Sequence, residues 1–476
     1  MSPTHEKTDP STSPTDLPTT NCNDLITNEF LQNALKMEAK GGSVSEIISY
    51  LATPGSKLGD NYASIIYSVD VNLSDGTKRH LLIKCYPNHP SRQELTNKMN
   101  LFFKECEVYS KWMPALSRMQ KEVFGLDKEE AVKLPYAKFV YGECIDFQSE
   151  EGEARKSGLI SSLDNFLIME DLRKTYGFRM TDRRQPLDLD HMKLVISALA
   201  KVHSVSWAYR NHVEENITQK FPCFVTNMSE EDVAIFSNVV RSNLEQAKGI
   251  YDKEFGPKNA YTAVADKFSG MIDRISSMFT GSGTAEGFEK LMRVTSSDKF
   301  GRDAENPEPW RIISHGDVWS NNMLFRYDPG TGKPVEVILI DLQKPGEACV
   351  MTDLQYIFYL STTLEFRRKY LDDLLQLYHD TFNGVCAKLR TPTLPGFCMD
   401  SLRFRFHRAK LFGYYMAMMG IPMILKEGEA TDWEDMEGDK DVKKAFIELC
   451  SGAGTNNTVK ERLIEVTREM MEDGIF

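Results

Sequence analysis

Residues Ser314–Asn322 read SHGDVWSNN, and residues Val335–Asp341 read VEVILID. The second segment has the β-branched and apolar content of a strand, and it ends in a carboxylate. A tight loop followed by a hairpin would bring Asp317 and Asn322 of the first segment close to Asp341 at the end of the second. Nothing else in the sequence matches this concentration of residues suited to chemistry.

Two carboxylates and an amide in this arrangement are typical of phosphoryl transfer. Asp317 can orient and deprotonate a hydroxyl, while Asn322 and Asp341 can hold magnesium against the phosphates of ATP. His315 has two interpretations. It can bond structurally to the backbone near Asp341, or it can act as a general base, because histidine titrates near neutrality.

The N-terminal half contains a predicted hairpin that follows a glycine-containing loop. Alternating residues predict strands over 65–73 and 80–86, and the Asp-Gly pair within 74–77 predicts the turn between them. In the preceding loop, Gly55 and Gly59 can let the backbone approach phosphates closely.

A lysine in the second of these strands fits the same chemistry. Lys84 can reach the phosphates of ATP, although it can also be an outward-pointing lysine of an edge strand. The following helix, predicted over residues 92–113, carries Glu105 and Glu107. Its apolar periodicity favours Glu105 as the carboxylate that holds Lys84, with Glu107 as the rival.

The remaining periodicity predicts a sheet-rich first half and a larger helical second half. Other helices are predicted over residues 24–39, 44–51, 191–209, 230–252, 260–279 and 286–296. Other strands are predicted over residues 139–141, 166–169, 312–314, 323–325 and 335–340. The apolar run at 411–425 is too short to cross a membrane and predicts a buried helix that ends at Gly420. The fold class is therefore α+β, with a site in the cleft between two lobes.

Charge and cysteine usage exclude several classes of protein. The chain has 69 acidic and 57 basic residues, and its net charge of −12 disfavours a nucleic-acid partner. Its nine cysteines are scattered without a CxxC pair, which predicts no zinc site, no disulfide framework and a cytoplasmic location. Residues 1–23 are predicted to be a disordered tail, and no apolar run suggests membrane association. The sequence contains neither an HExxH nor a GxSxG motif, so nothing in it indicates a hydrolase.

The motifs at 315–322 (HGDVWSNN) and 340–343 (IDLQ) resemble those of the ecdysteroid kinase-like family. This family belongs to the choline and aminoglycoside kinase superfamily. Further segments resemble the family's nucleotide loop, lysine-pairing helix, hinge, LAxxH helix and lobe-anchoring segment: 59–64, 102–109, 169–172, 199–203 and 353–356. The resemblance covers about residues 45–425.

This resemblance implies a two-lobed protein-kinase-like fold. A small antiparallel-sheet N-lobe would cover residues 24–168, a hinge 169–173, and a large, mainly helical C-lobe 174–476. His203, in the LAxxH helix, is expected to be a structural core residue.

The resemblance also assigns roles to the site residues. It implies that Asp317 is the catalytic base and that Asn322 and Asp341 are Mg²⁺ ligands. Seven residues are expected to bind ATP: Gly59, Asn61, Ser64, Lys84, Glu105, Glu170 and Leu172. Of these, Glu170 and Leu172 are expected to lie at the hinge beside adenine.

The expected function is that of an ATP-dependent small-molecule kinase, which transfers the γ-phosphoryl group to an alcohol such as an ecdysteroid or a related hydroxylated steroid or xenobiotic. One alternative is a choline-type or aminoglycoside-type kinase with a cationic acceptor. The other is a pseudokinase that binds a ligand without chemistry. The chain departs from the family pattern at Leu342, where phenylalanine is usual, and at residues 344–347, which border the substrate.

Overall fold

The computed structural model of the chain describes residues 25–55, 64–87, 93–94, 96–97, 99–147, 149–150, 152, 163–225, 228–279, 310–425, 450 and 456–476. The predicted tail at 1–23, the predicted helix at 286–296 and the loop residues Gly59 and Asn61 lie outside the described residues.

In the described N-terminal part, five antiparallel strands form one sheet in the order β1-β2-β3-β5-β4. The strands are β1 (Ile47–Pro54), β2 (Ile65–Leu73), β3 (Lys78–Cys85), β4 (Phe139–Glu143) and β5 (Phe166–Glu170). The predicted hairpin is confirmed, because Asn72 pairs with Lys78 and Gly76 turns the chain at a φ of +84°. That backbone conformation favours glycine.

Strand β1 shows that the helix predicted over residues 44–51 is wrong. The segment instead pairs with β2, starting from Ile47 opposite Leu73. The N–H of Ile47 also donates to Oε1 of Gln32 at 2.9 Å. Pairing with a distant strand therefore outweighs the weak helical spacing of a short segment, whose isoleucines and tyrosine suit a pleated surface.

The helix that carries Glu105 begins later than residue 92 and extends beyond residue 113. It comprises α2 (Leu101–Glu107), a π-helical turn (Val108–Trp112) and α3 (Met113–Glu122). Asn100, with a φ of +53°, precedes α2 and interrupts a continuous helix from residue 92. The first predicted helix is present as α1 (Asn28–Glu38), capped by the Thr27 side chain.

The C-terminal part is mainly helical. Its described helices are α4 (Leu172–Tyr176), α5 (Leu189–His212), α6 (Ile217–Lys220), α7 (Glu230–Phe255), α8 (Ala260–Ser269), α9 (Ile272–Ser276), α10 (Val350–Ser361), α11 (Leu364–Lys388), α12 (Met399–Ile424) and α13 (Asn457–Glu472). Two small antiparallel pairs interrupt them: β6 (Arg311–Ser314) with β9 (Gly346–Cys349), and β7 (Met323–Tyr327) with β8 (Pro334–Leu339). The predicted hairpin is confirmed, and its two strands are β7 and β8.

Helix α12 does not end at Gly420 as predicted, but continues through Pro422 to Ile424. A proline in a helix removes the bond to the carbonyl four residues earlier, here that of Met418. The side-chain amide of Asn243 donates to this carbonyl at 3.0 Å, so the carbonyl stays satisfied. Gly420 allows close packing, because a Cβ there would lie 2.8 Å from Cδ2 of Leu360.

Together, the antiparallel sheet and the mainly helical C-terminal part confirm the predicted α+β, two-lobed kinase-like fold. The lobe boundaries stay a prediction, and β5 runs two residues beyond the predicted end of the N-lobe at 168. None of the helices in the described residues has the length and apolar character that a membrane span requires.

Candidate active site

Lys84 lies in the middle of the N-terminal sheet. It is on β3, opposite Ile66 of β2 and Leu167 of β5, and its residue surface is only 6% exposed. The alternative of an outward-pointing lysine on an edge strand is therefore wrong. A buried ammonium is stable only with compensating charge, so its partners matter.

Two carboxylates from different parts of the fold supply that charge. Nζ of Lys84 lies 2.7 Å from Oε2 of Glu105 on α2 and 2.6 Å from Oδ1 of Asp341, just after β8. Burial by itself lowers the pKa of Lys84, but the charges of Asp341 and Glu105 outweigh it and hold this pKa above its ordinary value. The rival carboxylate, Glu107, instead pairs with Lys111 at 2.7 Å.

The loop around Asp317 is fixed by a buried carboxylate on helix α10. Asp353 accepts hydrogen bonds from the N–H groups of His315 at 2.7 Å and Gly316 at 3.0 Å. Gly316 has a φ of +78°, and a Cβ there would lie 1.9 Å from the carbonyl oxygen of Lys344. Glycine is therefore required both by the turn and by the close approach of the segment after Asp341.

His203 belongs to the same buried network. Its Nε2 lies 3.0 Å from Oδ2 of Asp353, and its Nδ1 lies 2.8 Å from the hydroxyl of Tyr378. Burial raises the pKa of Asp353, but the hydrogen bond and charge of His203 and the influence of His315 outweigh it, so the net pKa is lowered. His203 is completely buried, in agreement with the expectation of a core residue.

His315 joins the Asp317 loop to the strand that leads to Asp341. Its Nε2 lies 3.0 Å from the carbonyl oxygen of Ile340, and its Nδ1 accepts from the N–H of Asp317 at 3.3 Å. This network assigns the neutral tautomer with the proton on Nε2. Since both ring nitrogens are engaged with backbone, the contacts favour the structural interpretation of His315 over a general base.

A backbone hydrogen bond joins Asn322 to Ile340, the residue that precedes Asp341. The N–H of Ile340 donates to the carbonyl oxygen of Asn322 at 3.0 Å. The side-chain N–H of Asn322 donates to the carbonyl oxygen of Asp317 at 2.9 Å, and this contact does not use the amide oxygen of Asn322. Asp341 itself has a φ of +63°, a strained conformation for a residue with a side chain, and such strain clusters at functional sites.

The donor set fits magnesium. Mg²⁺ prefers hard oxygen ligands and is commonly held by one or two protein groups together with phosphate oxygens and water. Asn322 and Asp341 offer an amide oxygen and a carboxylate. Burial raises the pKa of Asp341, but the charge of Lys84 outweighs it, so this carboxyl is lowered in pKa and ionised. No group of three or more His, Cys, Asp or Glu suited to a metal occurs in the described part of the chain.

The carboxylate of Asp317 has a different partner on each oxygen. The Tyr356 hydroxyl donates to Oδ1, and Nζ of Lys344 lies 3.2 Å from Oδ2. Burial and the charge of Asp317 raise the pKa of Tyr356 well above its ordinary value, so its hydroxyl stays a donor. The two contacts orient the carboxylate of Asp317, as proton acceptance from an alcohol requires.

At the predicted hinge, backbone groups of Glu170 and Asp171 are used by the sheet and its neighbours. The N–H of Glu170 donates to Lys138, and that of Asp171 to His80. The Asp171 side chain accepts from Oγ of Ser68 at 2.7 Å and caps α4, at the start of which Leu172 is buried.

The beginning of the glycine-containing loop is fixed as well. Gly55 donates to the carbonyl of Ile66 at 2.7 Å and accepts from Nη1 of Arg173 at 2.6 Å. A Cβ at Gly55 would lie 2.6 Å from Cγ2 of Ile66, so its glycine character is explained by packing on β2. Ser64 is buried immediately before β2, whereas Gly59 and Asn61 lie outside the described residues.

Three residues that contact the Asp317 loop were not selected as site residues from the sequence: Lys344, Asp353 and Tyr356. A signal was present for the last two, because residues three apart on a helix share one face. Asp353 and Tyr356 thus both point from α10 towards the loop that contains Asp317. Lys344 has no such pattern, since its contact depends on how the chain turns after Asp341.

The sheet, the helical part and the joined lysine and carboxylates define a protein of the kinase-like class. The model of the ecdysteroid kinase-like family matches residues 58–391, most of the chain. The chain belongs to the ecdysteroid kinase-like family, and this membership implies a small-molecule kinase-like function with a small-molecule substrate. No curated protein matches the sequence.

Proposed function

We propose that this protein is an ATP-dependent kinase that transfers the γ-phosphoryl group of ATP to the hydroxyl of a small molecule. One observation carries the proposal. Lys84 contacts Asp341 directly, and Lys344, three residues further on, contacts Asp317. Two ion pairs and the short segment 341–344 thus connect a proposed phosphate-binding cation, Lys84, a proposed metal-binding carboxylate, Asp341, and a proposed base, Asp317. Phosphoryl transfer between bound reactants requires such groups to lie close together.

In this proposal, Asp317 accepts the proton of the acceptor hydroxyl as its oxygen attacks the γ-phosphorus. The bond between that phosphorus and the β–γ bridging oxygen breaks, and ADP leaves with the electron pair. Tyr356 holds Oδ1 of Asp317, while Asp353 fixes the backbone of the loop. The protein therefore contributes mainly position and charge, in keeping with a loose, charge-dispersed transition state.

Lys84 is the proposed contact to the α- and β-phosphates. Its present partner Asp341, together with Asn322, would hold Mg²⁺, which when bound neutralises phosphate charge. Lys84 can exchange Asp341 for phosphate oxygens and keep Glu105 as its fixed partner. Glu105 is suited to that task, because it is also held by the backbone N–H of Leu342 at 3.3 Å.

The adenine and phosphate contacts of the proposal remain those indicated by the family resemblance. Backbone groups between Glu170 and Leu172, other than the N–H groups of Glu170 and Asp171 that bond within the protein, would face adenine. The loop containing Gly59, Asn61 and Ser64 would cover the phosphates. The support is positional: β5 leads into the hinge beside β3, and Leu81 of β3 pairs with Glu170.

For the acceptor we propose an ecdysteroid or a related hydroxylated steroid or xenobiotic, on the strength of the family to which the chain belongs. A choline-type or aminoglycoside-type acceptor is the second candidate, and its distinguishing feature is a positive charge. A pseudokinase is disfavoured, because Lys84, Asp317 and Asp341 are all present, with Lys84 paired to Asp341 and Asp317 paired to the nearby Lys344.

Purified protein incubated with ATP, Mg²⁺ and ecdysone, choline or kanamycin tests these alternatives by mass spectrometry. We expect one phosphate to be added to the steroid and none to the two cations. Transfer to choline alone would support the second candidate. Stabilisation by ATP without phosphate release to any acceptor or to water would instead indicate a pseudokinase and contradict the proposal.

A further inference from the structure

Lys344 is held against Asp317 by a constrained loop. Its carbonyl oxygen packs against Gly316, at a point where a Cβ would approach to 1.9 Å. Two residues later, the carbonyl of Gly346 accepts from Oγ of Ser314 at 2.9 Å, and the pairing of β9 with β6 begins. The backbone on both sides of the loop is thus fixed without any contribution from the Lys344 ammonium.

The two oxygens of Asp317 differ in access. Oδ1 accepts from Tyr356, which is buried on α10. Oδ2 faces Lys344, whose side chain is 40% exposed. Solvent and substrate therefore reach the carboxylate from the Lys344 side, and an alcohol that donates its proton to Oδ2 must place its neighbouring atoms beside the Lys344 ammonium.

We infer that Lys344 determines the charge of the acceptor: it admits neutral and anionic alcohols and disfavours cationic ones. This inference rests on the proposed function. A cationic group within a few ångströms of Lys344 meets a like charge in a partly exposed site, where the repulsion is modest but still disfavours binding. An anionic group in the same place gains an attractive partner. Relative to a variant without the Lys344 charge, the protein should therefore favour anionic acceptors and disfavour cationic ones.

A matched set of three small alcohols tests the effect of charge at nearly constant shape. Choline is cationic, 3,3-dimethylbutanol is its neutral isostere, and 3-hydroxypropanesulfonate is anionic. Transfer from ATP in the presence of Mg²⁺ is measured as kcat/KM for the full chain, for Lys344→Met and for Lys344→Arg. Lys333→Met is the matched control, because Lys333 is 68% exposed and pairs only with Asp190 among the contacts of the described residues.

We expect the unaltered protein to prefer the neutral isostere over choline by about tenfold or more, the factor that corresponds to a modest like-charge repulsion. Lys344→Met should bring the ratio of kcat/KM for the isostere to kcat/KM for choline close to one. It should also lower turnover of the sulfonate relative to the isostere. Lys344→Arg and Lys333→Met should keep the original preference. An equal change for all three alcohols would show that Lys344 only positions Asp317, and it would overturn the inference.

Failure of the proposed function is distinguishable from failure of this inference. If the unaltered protein transfers phosphate to none of the alcohols, their binding is measured by equilibrium dialysis with Mg²⁺ and a non-hydrolysable ATP analogue. The same order, and its loss in Lys344→Met, would support the role of Lys344 even though the kinase proposal fails. The absence of any charge preference in both turnover and binding overturns the inference.

Discussion

Two lysines contact the acidic residues of the site, and their surroundings are opposite. Lys84 is buried between Glu105 and Asp341, which come from a helix and from the end of a distant strand. Lys344 follows the buried residues Leu342 and Gln343 and contacts Asp317 while 40% of its own side chain remains exposed. The first contact joins separate elements in a low-dielectric interior, whereas the second adjusts one carboxylate at the surface of the cleft.

The different exposure of the two lysines separates a charge that folding requires from a charge that a substrate can reach. Removing one member of a buried ion pair leaves an uncompensated charge and destabilises strongly. A pair with one exposed member contributes less to stability, because water still solvates that member, as it does Lys344. Lys84 should therefore behave as a structural and nucleotide-binding residue at once, whereas Lys344 should affect the reaction alone.

The largest effect is expected when the carboxylate of Asp317 loses its charge. Asp317→Asn keeps the size of the side chain and one oxygen that can accept from Tyr356, but it loses the charged contact with Lys344 and removes the proton acceptor, so kcat should fall by about 10²–10⁴-fold. Stabilisation by ATP and Mg²⁺ in a thermal-shift assay should persist, because Lys84, Asn322 and Asp341 are untouched. Full turnover by this variant would remove Asp317 from the mechanism.

The buried lysine should dominate stability. Lys84→Met leaves Glu105, which is only 1% exposed, without its cation, and the free energy of unfolding should fall by about 3–5 kcal/mol. Chemical denaturation measures this loss, and the stabilisation by ATP should disappear as well. A loss no larger than that of an exposed lysine would contradict the comparison between the two sites.

Much of this arrangement follows from local sequence. The bounds predicted for β2, residues 65–73, are those of the structure, because alternation and an Asp-Gly turn are local signals. The same holds for the choice between Glu105 and Glu107. Apolar periodicity favoured Glu105, and Glu105 is the residue that contacts Lys84.

What could not be predicted depends on contacts between distant parts of the chain. Strand β1 forms because β2 provides its partner, and α12 passes Pro422 because Asn243 satisfies the carbonyl that proline leaves free. The approach of Lys344 to Asp317 likewise depends on packing against Gly316. None of these partners is adjacent in sequence, so no local pattern indicates them.

Asp353 is a buried carboxylate without a lysine partner, and its contribution to stability should depend on pH. Asp353→Asn should lower the free energy of unfolding at neutral pH by about 1.5–3 kcal/mol, because bonds from His203, His315 and Gly316 lose their charged acceptor.

The sign of the pH dependence follows from the lowered pKa of Asp353. Its contribution is complete above the ordinary pKa of about 3.9 and is lost as the pH falls through the lower pKa of the folded state. The difference in stability between wild type and variant should therefore shrink below about pH 4. A constant difference down to pH 2 in denaturation experiments would show that Asp353 is not held ionised.

The two glutamates of α2 form a matched pair of variants. Glu105→Gln replaces a buried charge that holds Lys84 and the N–H of Leu342, and it should lower stability by about 1–2 kcal/mol. Glu107→Gln breaks only a pair with the 62% exposed Lys111 and should change stability by less than about 0.5 kcal/mol. Equal effects would mean that the contact between Lys84 and Glu105 is not the energetic difference between these positions.

The smallest effect on stability is expected at the open lysine. Lys344→Met removes a pair whose lysine is 40% exposed, so the free energy of unfolding should change by less than about 1 kcal/mol. The loop should keep its shape, since Gly316, Ser314 and Gly346 fix its backbone independently of the ammonium. Denaturation of this variant beside Lys84→Met separates the two roles directly. If both variants lose several kcal/mol, Lys344 is a structural residue like Lys84, and the distinction between the two lysines is wrong.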